Sequence, residues 1–272
     1  MECKTAFQTK KMDRRPLTLG SAYFLIMLCM HAVVMPTYGQ SLPRVQFTSL
    51  DWPPYTAQQL AHQGATSAVV SAAMASMGYR VEVSFYPWNR AVALARSRSS
   101  YIGYFPEYQS KEASVDFLFS DPIGSGPLGL AEHADTPVHW ERLDDLAHFQ
   151  IGVVAGYINT EQFDDRVRRG LQRVDYASSD KQNLLKLAAK RVQLVVIDQR
   201  VFDYLIRHDP QVVAVARKLR FNVRLLESKQ LHVCFRRTPE GERMRKIFNE
   251  GLRRINVDVT MELALKEILD AP

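Results

Sequence analysis

An α/β fold built from two similar units is what this sequence predicts, and three observations carry the prediction. Apolar runs of strand type alternate with helical patterns from residue 45 almost to the end. The stretch Glu132-His133-Ala134-Asp135-Thr136-Pro137 is polar and lacks apolar periodicity, so it reads as a crossing between the units. The alternation Leu231-His232-Val233-Cys234-Phe235 then returns late in the chain, as a second crossing would. Two crossings leave a cleft between the units. Ligands of α/β folds sit in such clefts, beyond the carboxyl ends of strands.

The first strand, Val45-Gln46-Phe47-Thr48, runs into Asp51-Trp52-Pro53-Pro54-Tyr55. Proline fixes φ near about −65° and donates no ladder hydrogen bond, so the chain leaves the sheet there with an aromatic ring on each side. Such a loop serves either as a packed turn or as one wall of a small-ligand site. A helix of small and apolar residues follows from Ser67 to Met77, stopped by Gly78. Next come the alternating strand Tyr79 to Phe85 and a helix opening at Pro87-Trp88-Asn89 and running to about Arg98. Tyr101 to Phe105 is a short strand, Phe117-Leu118-Phe119 an apolar segment before the turn Ser120-Asp121-Pro122, and Leu128 to Ala131 the strand that enters the first crossing.

The second unit repeats the plan. It has a strand Ile151 to Val154, a turn at Ala155-Gly156-Tyr157, and helices over about 160–169 and 179–190. Val192 to Ile197 is the strongest strand of the chain; it ends on Asp198, and a helix over about 199–207 follows. Asp198 suits a helix N-cap as well as a ligand contact. After the return strand, amphipathic helices over 241–255 and 261–269 close the chain.

Ahead of all this lies an export signal. Lys4, Lys10, Lys11, Arg14 and Arg15 precede an apolar run from Leu17 to Met35, and Pro36-Thr37-Tyr38-Gly39-Gln40 ends it with a helix breaker and small residues. Cleavage is expected near Gly39/Gln40, with a cut after Ser41 as the alternative, so residues 1–39 form the signal peptide. Met12 is the alternative start. The expected location is the periplasm. The run's nineteen residues also approach the ~20 of a membrane anchor, but Gly20, Ser21 and His31 dilute it.

The formal charge of +6 falls to +3 in the mature chain, because the signal carries five basic and two acidic residues. That is too mild a charge to point to nucleic acid. Of three cysteines only Cys234 lies beyond the signal, which excludes an internal disulfide. The histidines show no metal-ligand spacing, and neither zinc motif nor phosphate loop nor nucleophile elbow occurs. No cofactor is expected. Gly124-Ser125-Gly126-Pro127-Leu128-Gly129 matches a dinucleotide fingerprint by letter, but no helix follows it.

The chain resembles the bacterial extracellular solute-binding proteins of family 3, the periplasmic receptors of amino-acid ABC importers. The resemblance spans the whole mature chain. It rests on the 51–55 loop, on Pro87-Trp88-Asn89-Arg90-Ala91, on Phe119-Ser120-Asp121-Pro122-Ile123, on Gly152-Val153-Val154-Ala155-Gly156-Tyr157, on Val196-Ile197-Asp198, and on Phe235 with Phe248-Asn249-Glu250-Gly251-Leu252. It implies a two-lobed, type II periplasmic-binding-protein-like α/β fold with the ligand cleft between the lobes. Lobe 1 would take residues 43–131 and 233–272, lobe 2 residues 134–230, and the hinge would lie near 131–134 and 230–234.

The resemblance also implies that Asp198 holds the ligand's ammonium group and that Trp52 and Tyr55 stack on the ligand. Asp51, Trp88, Tyr104, Glu107, Tyr108, Ser125 and Tyr157 complete the expected ligand-binding set, Ser125 because small residues at 124–126 permit close backbone approach. The aromatic excess at Tyr55, Trp88, Tyr104, Phe105, Tyr108 and Tyr157 suggests a ligand with an apolar or cationic body. The family's carboxylate-gripping arginine is absent, since no arginine occurs from Tyr101 to Leu130. Lys111 is the point charge within that stretch, without the planar fork of arginine.

The expected function is capture of a small polar, aromatic or amino-acid-like solute for an ABC importer by a monomer, with the transporter's membrane component as partner. Two other functions stay open: a ligand-sensing module, and a cyclohexadienyl-dehydratase-like enzyme using Asp51, Glu107 and Asp198.

Overall fold

In the computed structural model, Glu2 and residues 42–270 are described. Apart from Glu2, the expected signal segment, with its two cysteines, therefore lies outside the described residues. Strand β1 (Arg44–Ser49) pairs in parallel with β2 (Arg80–Phe85) on one side and β3 (Gly103–Tyr108) on the other. Phe47, Thr48 and Ser49 are fully buried. The two hydroxyls are satisfied locally, Thr48 by the Ala91 carbonyl at 2.8 Å and Ser49 by the Phe105 carbonyl at 2.7 Å.

Two long strands join this half to the other. β5 (Gly124–His133) and β9 (Leu219–Arg236) pair antiparallel along most of their length. The last part of β9 also pairs with β3 and with the short β4 (Phe117–Phe119). β5 in turn pairs with β8 (Leu194–Asp198), followed by β6 (Gln150–Val154) and β7 (Arg173–Ala177), which are parallel to it in sequence of pairing. The resulting order is β2-β1-β3-β9-β5-β8-β6-β7.

Here the structure differs from the sequence reading of residues 132–133 as loop. Glu132 and His133 are not in a polar loop; they are buried residues of β5. Glu132 looks like a break in sequence because a charge in a strand normally faces water. It is buried because the Arg220 guanidinium, the Asn222 amide at 2.7 Å and the Val138 N–H at 2.9 Å all donate to it. β9 likewise begins at Leu219, twelve residues before the expected return strand. Its first two thirds carry mostly exposed side chains, so no buried alternation marks them. β7 and the helix Lys111–Asp116, capped by Ser110, were also not anticipated.

The helix Ala65–Ser76 shows why the proline loop is built as it is. The Ala65 and Thr66 N–H groups, which a helix leaves without internal partners, donate to the Pro54 and Tyr55 carbonyls at 3.0 and 2.9 Å. Gly64 before it has φ +105°, and a Cβ there would fall on the Tyr55 carbonyl and Thr56. The loop is therefore a helix cap before it is anything else. No helix among the described residues is long and apolar enough to cross a membrane.

Candidate functional site

The loop after β1 closes on itself. Trp52 N–H donates to the Thr56 carbonyl at 2.6 Å and Thr56 N–H returns to Trp52 at 3.1 Å, which stacks the Trp52 and Tyr55 rings at 4.6 Å. From there the Tyr55 hydroxyl reaches the end of β8 and donates to both Asp198 oxygens, at 3.0 and 3.1 Å. Asp198 caps the helix Gln199–His208, its Oδ1 accepting the Arg200 and Val201 N–H groups at 2.8 and 3.3 Å. The cap and the contact to Tyr55 coexist on one carboxylate. Gly126 makes room for them, since a Cβ on it would collide with Asp198 Oδ2 and stand 2.7 Å from the Tyr55 hydroxyl.

Beside this pair the ring edges enclose a cavity of about 30 Å³, walled by Trp52, Trp88, Glu107, Tyr108, Tyr157 and Leu231. That is the room of a single water molecule. Trp52 stands edge-on to Tyr108 and Tyr157 at 6.1 and 6.4 Å, and Trp88 edge-on to Tyr157 at 5.9 Å. Trp88 Nε1–H donates to the Gly156 carbonyl at 3.0 Å. Tyr104 donates to Glu107 Oε2 at 3.0 Å, while Glu107 Oε1 accepts the Tyr108 N–H at 2.9 Å. The Tyr108 hydroxyl is buried and has no hydrogen-bond partner among the described residues.

Three buried carboxyls surround these rings, and each is driven toward its neutral form. Burial pushes Glu107 up to about 8, with Tyr104, the Tyr108 N–H and Lys229 pulling back only in part. Burial, reinforced by the Asp198 charge, raises Asp180 to about 7, against the hydrogen-bonding influence of Trp52. Burial raises Asp198 to about 7 despite the Val201 and Arg200 N–H groups and Tyr55. Asp180 opens the helix Asp180–Ala188 and was not expected in the site. Acid in a helix's first turn is so common that nothing in its sequence context marks it. No group of three His, Cys, Asp or Glu suited to a metal occurs among the described residues.

A histidine kinase sensor domain with similarity to periplasmic binding proteins superposes on this chain with a TM-score of 0.70 at 17% identity, over 84% of this chain and 97% of that one. AbpA, an amino acid ABC transporter substrate-binding protein from Streptococcus pneumoniae bound to L-arginine, gives 0.67 at 15% over 84% and 97%. The GluR0 ligand-binding core from Nostoc punctiforme, in complex with L-glutamate, gives 0.65 at 16% over 84% and 100%. The fold is the two-lobed, type II periplasmic binding fold. No family model matches the chain, and no curated protein matches its sequence.

Within this binding fold the expected residues divide. Trp52, Tyr55, Trp88, Tyr104, Glu107, Tyr108, Tyr157 and Asp198 come together around the cavity. Asp51 does not: it is exposed, and its Oδ1 accepts the Gln58 N–H at 3.1 Å. Ser125 is exposed as well, its carbonyl accepting Arg200 Nη1 at 2.8 Å. Phe105 belongs to the core, edge-on to Phe47 at 5.7 Å. The three acids of the dehydratase-like reading are thus split between one exposed and two buried positions.

A larger, polar groove of about 1130 Å³ lies between the helix Lys111–Asp116, the helix Glu161–Arg168 and β9. Lys111 spans it to Glu161 at 2.6 Å with its side chain 86% exposed, so it is spent on a surface ion pair. Lys229 of β9, which the sequence did not single out, lines the same groove and is buried.

Proposed function

We propose that this chain is a periplasmic solute-binding protein that captures a small aromatic or amino-acid-like solute carrying a cationic group. One observation carries the reading: Glu107, Asp180 and Asp198 are buried against a cage of Trp and Tyr rings, and the walls of that cage hold no arginine. The charges of Lys229 and Arg200 offset burial only in part at Glu107 and Asp198, and a bound cation supplies further countercharge while the rings add cation–π attraction of about 0.5–2 kcal/mol each. In the cavity's present state the walls touch one another, so solute entry requires the two halves to separate and close again.

The register of the sheet supports lobes joined at β5 and β9. On β9, Leu231 still pairs with Tyr108 of β3, and on β5, Leu128 already pairs with Asp198 of β8. We accordingly put the crossings at 125–127 and 227–230, the first of them earlier than the 131–134 expected from sequence. Lobe 1 is then the part before residue 125 together with the chain after residue 230, and lobe 2 the part from 128 to 226.

The export signal supports a periplasmic location, and AbpA's role supports service to an ABC importer's membrane component. Native mass spectrometry of the purified chain should find a copurified small molecule. Titration of that solute against Trp52→Ala and Asp198→Asn should show more than tenfold weaker binding with circular dichroism unchanged. Normal binding by both variants overturns the site.

A further inference from the structure

We propose that Lys229 is the anion-binding residue of this cleft, so that the solute is dipolar, its cation among the aromatic rings and its carboxylate on the Lys229 ammonium. The inference rests on the binding function proposed above and assigns the second charge of the solute.

Three observations on Lys229 support it. Its side chain is 10% exposed, against 86% for Lys111 and 57% for Arg168, the other lysine and the arginine of the groove. Both of those are committed to carboxylates, Lys111 to Glu161 and Arg168 to Glu112 and Asp165. Lys229 is held more loosely: the carboxylate oxygen paired with it, on the half-exposed Glu227, is 3.6 Å away, beyond hydrogen-bond length, and its charge is otherwise felt by Glu107 and Asp164. An ammonium has three donors to satisfy, and this one lines the groove, where an acceptor can reach it.

The register then aims it. Lys229 pairs directly with Gly126 across the β5–β9 ladder. Directly paired residues of antiparallel strands project to the same face, with their Cβ atoms about 4.5–5.5 Å apart. The missing Cβ of Gly126 points at Asp198 and Tyr55, so Lys229 leaves β9 on the face of the sheet where the cation site lies. Its ammonium stands 5.4 Å from the centre of the Tyr108 ring, which is itself a wall of the aromatic cavity. Tyr108 thus borders both the aromatic cavity and Lys229.

The test uses matched probes, L-arginine with agmatine and L-phenylalanine with phenethylamine, each pair differing only in the carboxylate. Calorimetric titration is run on the wild type, Lys229→Met and Lys229→Gln, all checked for folding by circular dichroism. In at least one pair the wild type should prefer the amino acid by about tenfold or more, the size of one charge-assisted hydrogen bond. Both variants should bring that ratio to about one, through weaker binding of the amino acid. Amines that bind as well as the amino acids, or a preference that survives in the variants, overturn the role of Lys229 while the cation site stands. Failure of all four probes to bind the wild type overturns both.

Discussion

The Tyr55 hydroxyl stands 3.0 and 3.1 Å from the two oxygens of Asp198, in space that exists because residue 126 is glycine. One strand end from each half of the sheet meets there. Among the described residues Tyr55 is the only side-chain donor to Asp198, beside its helix-capping bonds.

Gly126→Ala should break it. The added methyl has Asp198 Oδ2 and the Tyr55 hydroxyl on top of it, and both belong to buried groups with nowhere to move. A loss of about 1–3 kcal/mol in stability is expected, from strain or an unsatisfied buried group, together with loss of solute binding. Urea denaturation and a thermal-shift titration measure the two; an alanine variant as stable as the wild type contradicts the packing described.

Asp198→Asn separates the carboxylate's two roles. Asparagine caps helices as well as aspartate does, so the Arg200 and Val201 N–H groups keep an acceptor. The charge alone is lost. Binding of a cationic solute should fall more than tenfold while the melting temperature stays within a few degrees of wild type, as differential scanning calorimetry would show.

Much of this site was legible beforehand, for identifiable reasons. The 51–55 loop stood out because two prolines must end a strand, and Asp198 because an acid closing an all-apolar strand before a helix is a conspicuous place. Asp180 was hidden by its helix-opening position, where acids need no further reason. Lys229 was hidden by its neighbours Glu227, Ser228 and Gln230, which make the strand look solvated. The Tyr104 to Tyr108 segment defeated simple alternation, because its ladder to β9 shifts register between Tyr104 and Glu107. That shift puts Tyr104 and Glu107 in hydrogen-bond contact, whereas parity along a regular strand would set them on opposite faces.

Stability should depend on pH through Glu107 in a stated direction. Its folded-state pKa, about 8, lies above the ordinary 4.5 because of burial. The folded chain therefore holds this proton over a range in which the unfolded chain has lost it, and the stability it contributes is present below about pH 4.5 and lost as pH rises through 8. Glu107→Gln keeps an acceptor for Tyr104 and has nothing to titrate. Relative to wild type it should gain about 2 °C or more in melting temperature between pH 5 and pH 8; a constant difference across that range refutes the assignment.

Solute binding should release protons. At pH 6 the carboxyls of Asp180 and Asp198, raised to about 7, are mostly protonated in the empty closed cleft. A bound cation favours their ionised forms, because opposite charge at close range lowers a carboxyl's pKa. Each proton lost is taken up by the buffer, so the observed binding enthalpy must follow the buffer's ionisation enthalpy. Titrating L-arginine at pH 6 in two buffers of very different ionisation enthalpy should give a slope corresponding to release of about one proton, vanishing near pH 9 where both acids are already ionised. Affinity should rise correspondingly between pH 5 and 8. The same titration on Asp180→Asn should reduce the slope and leave the Asp198 contribution, whereas a buffer-independent enthalpy at pH 6 in the wild type means that the solute does not bind against these acids.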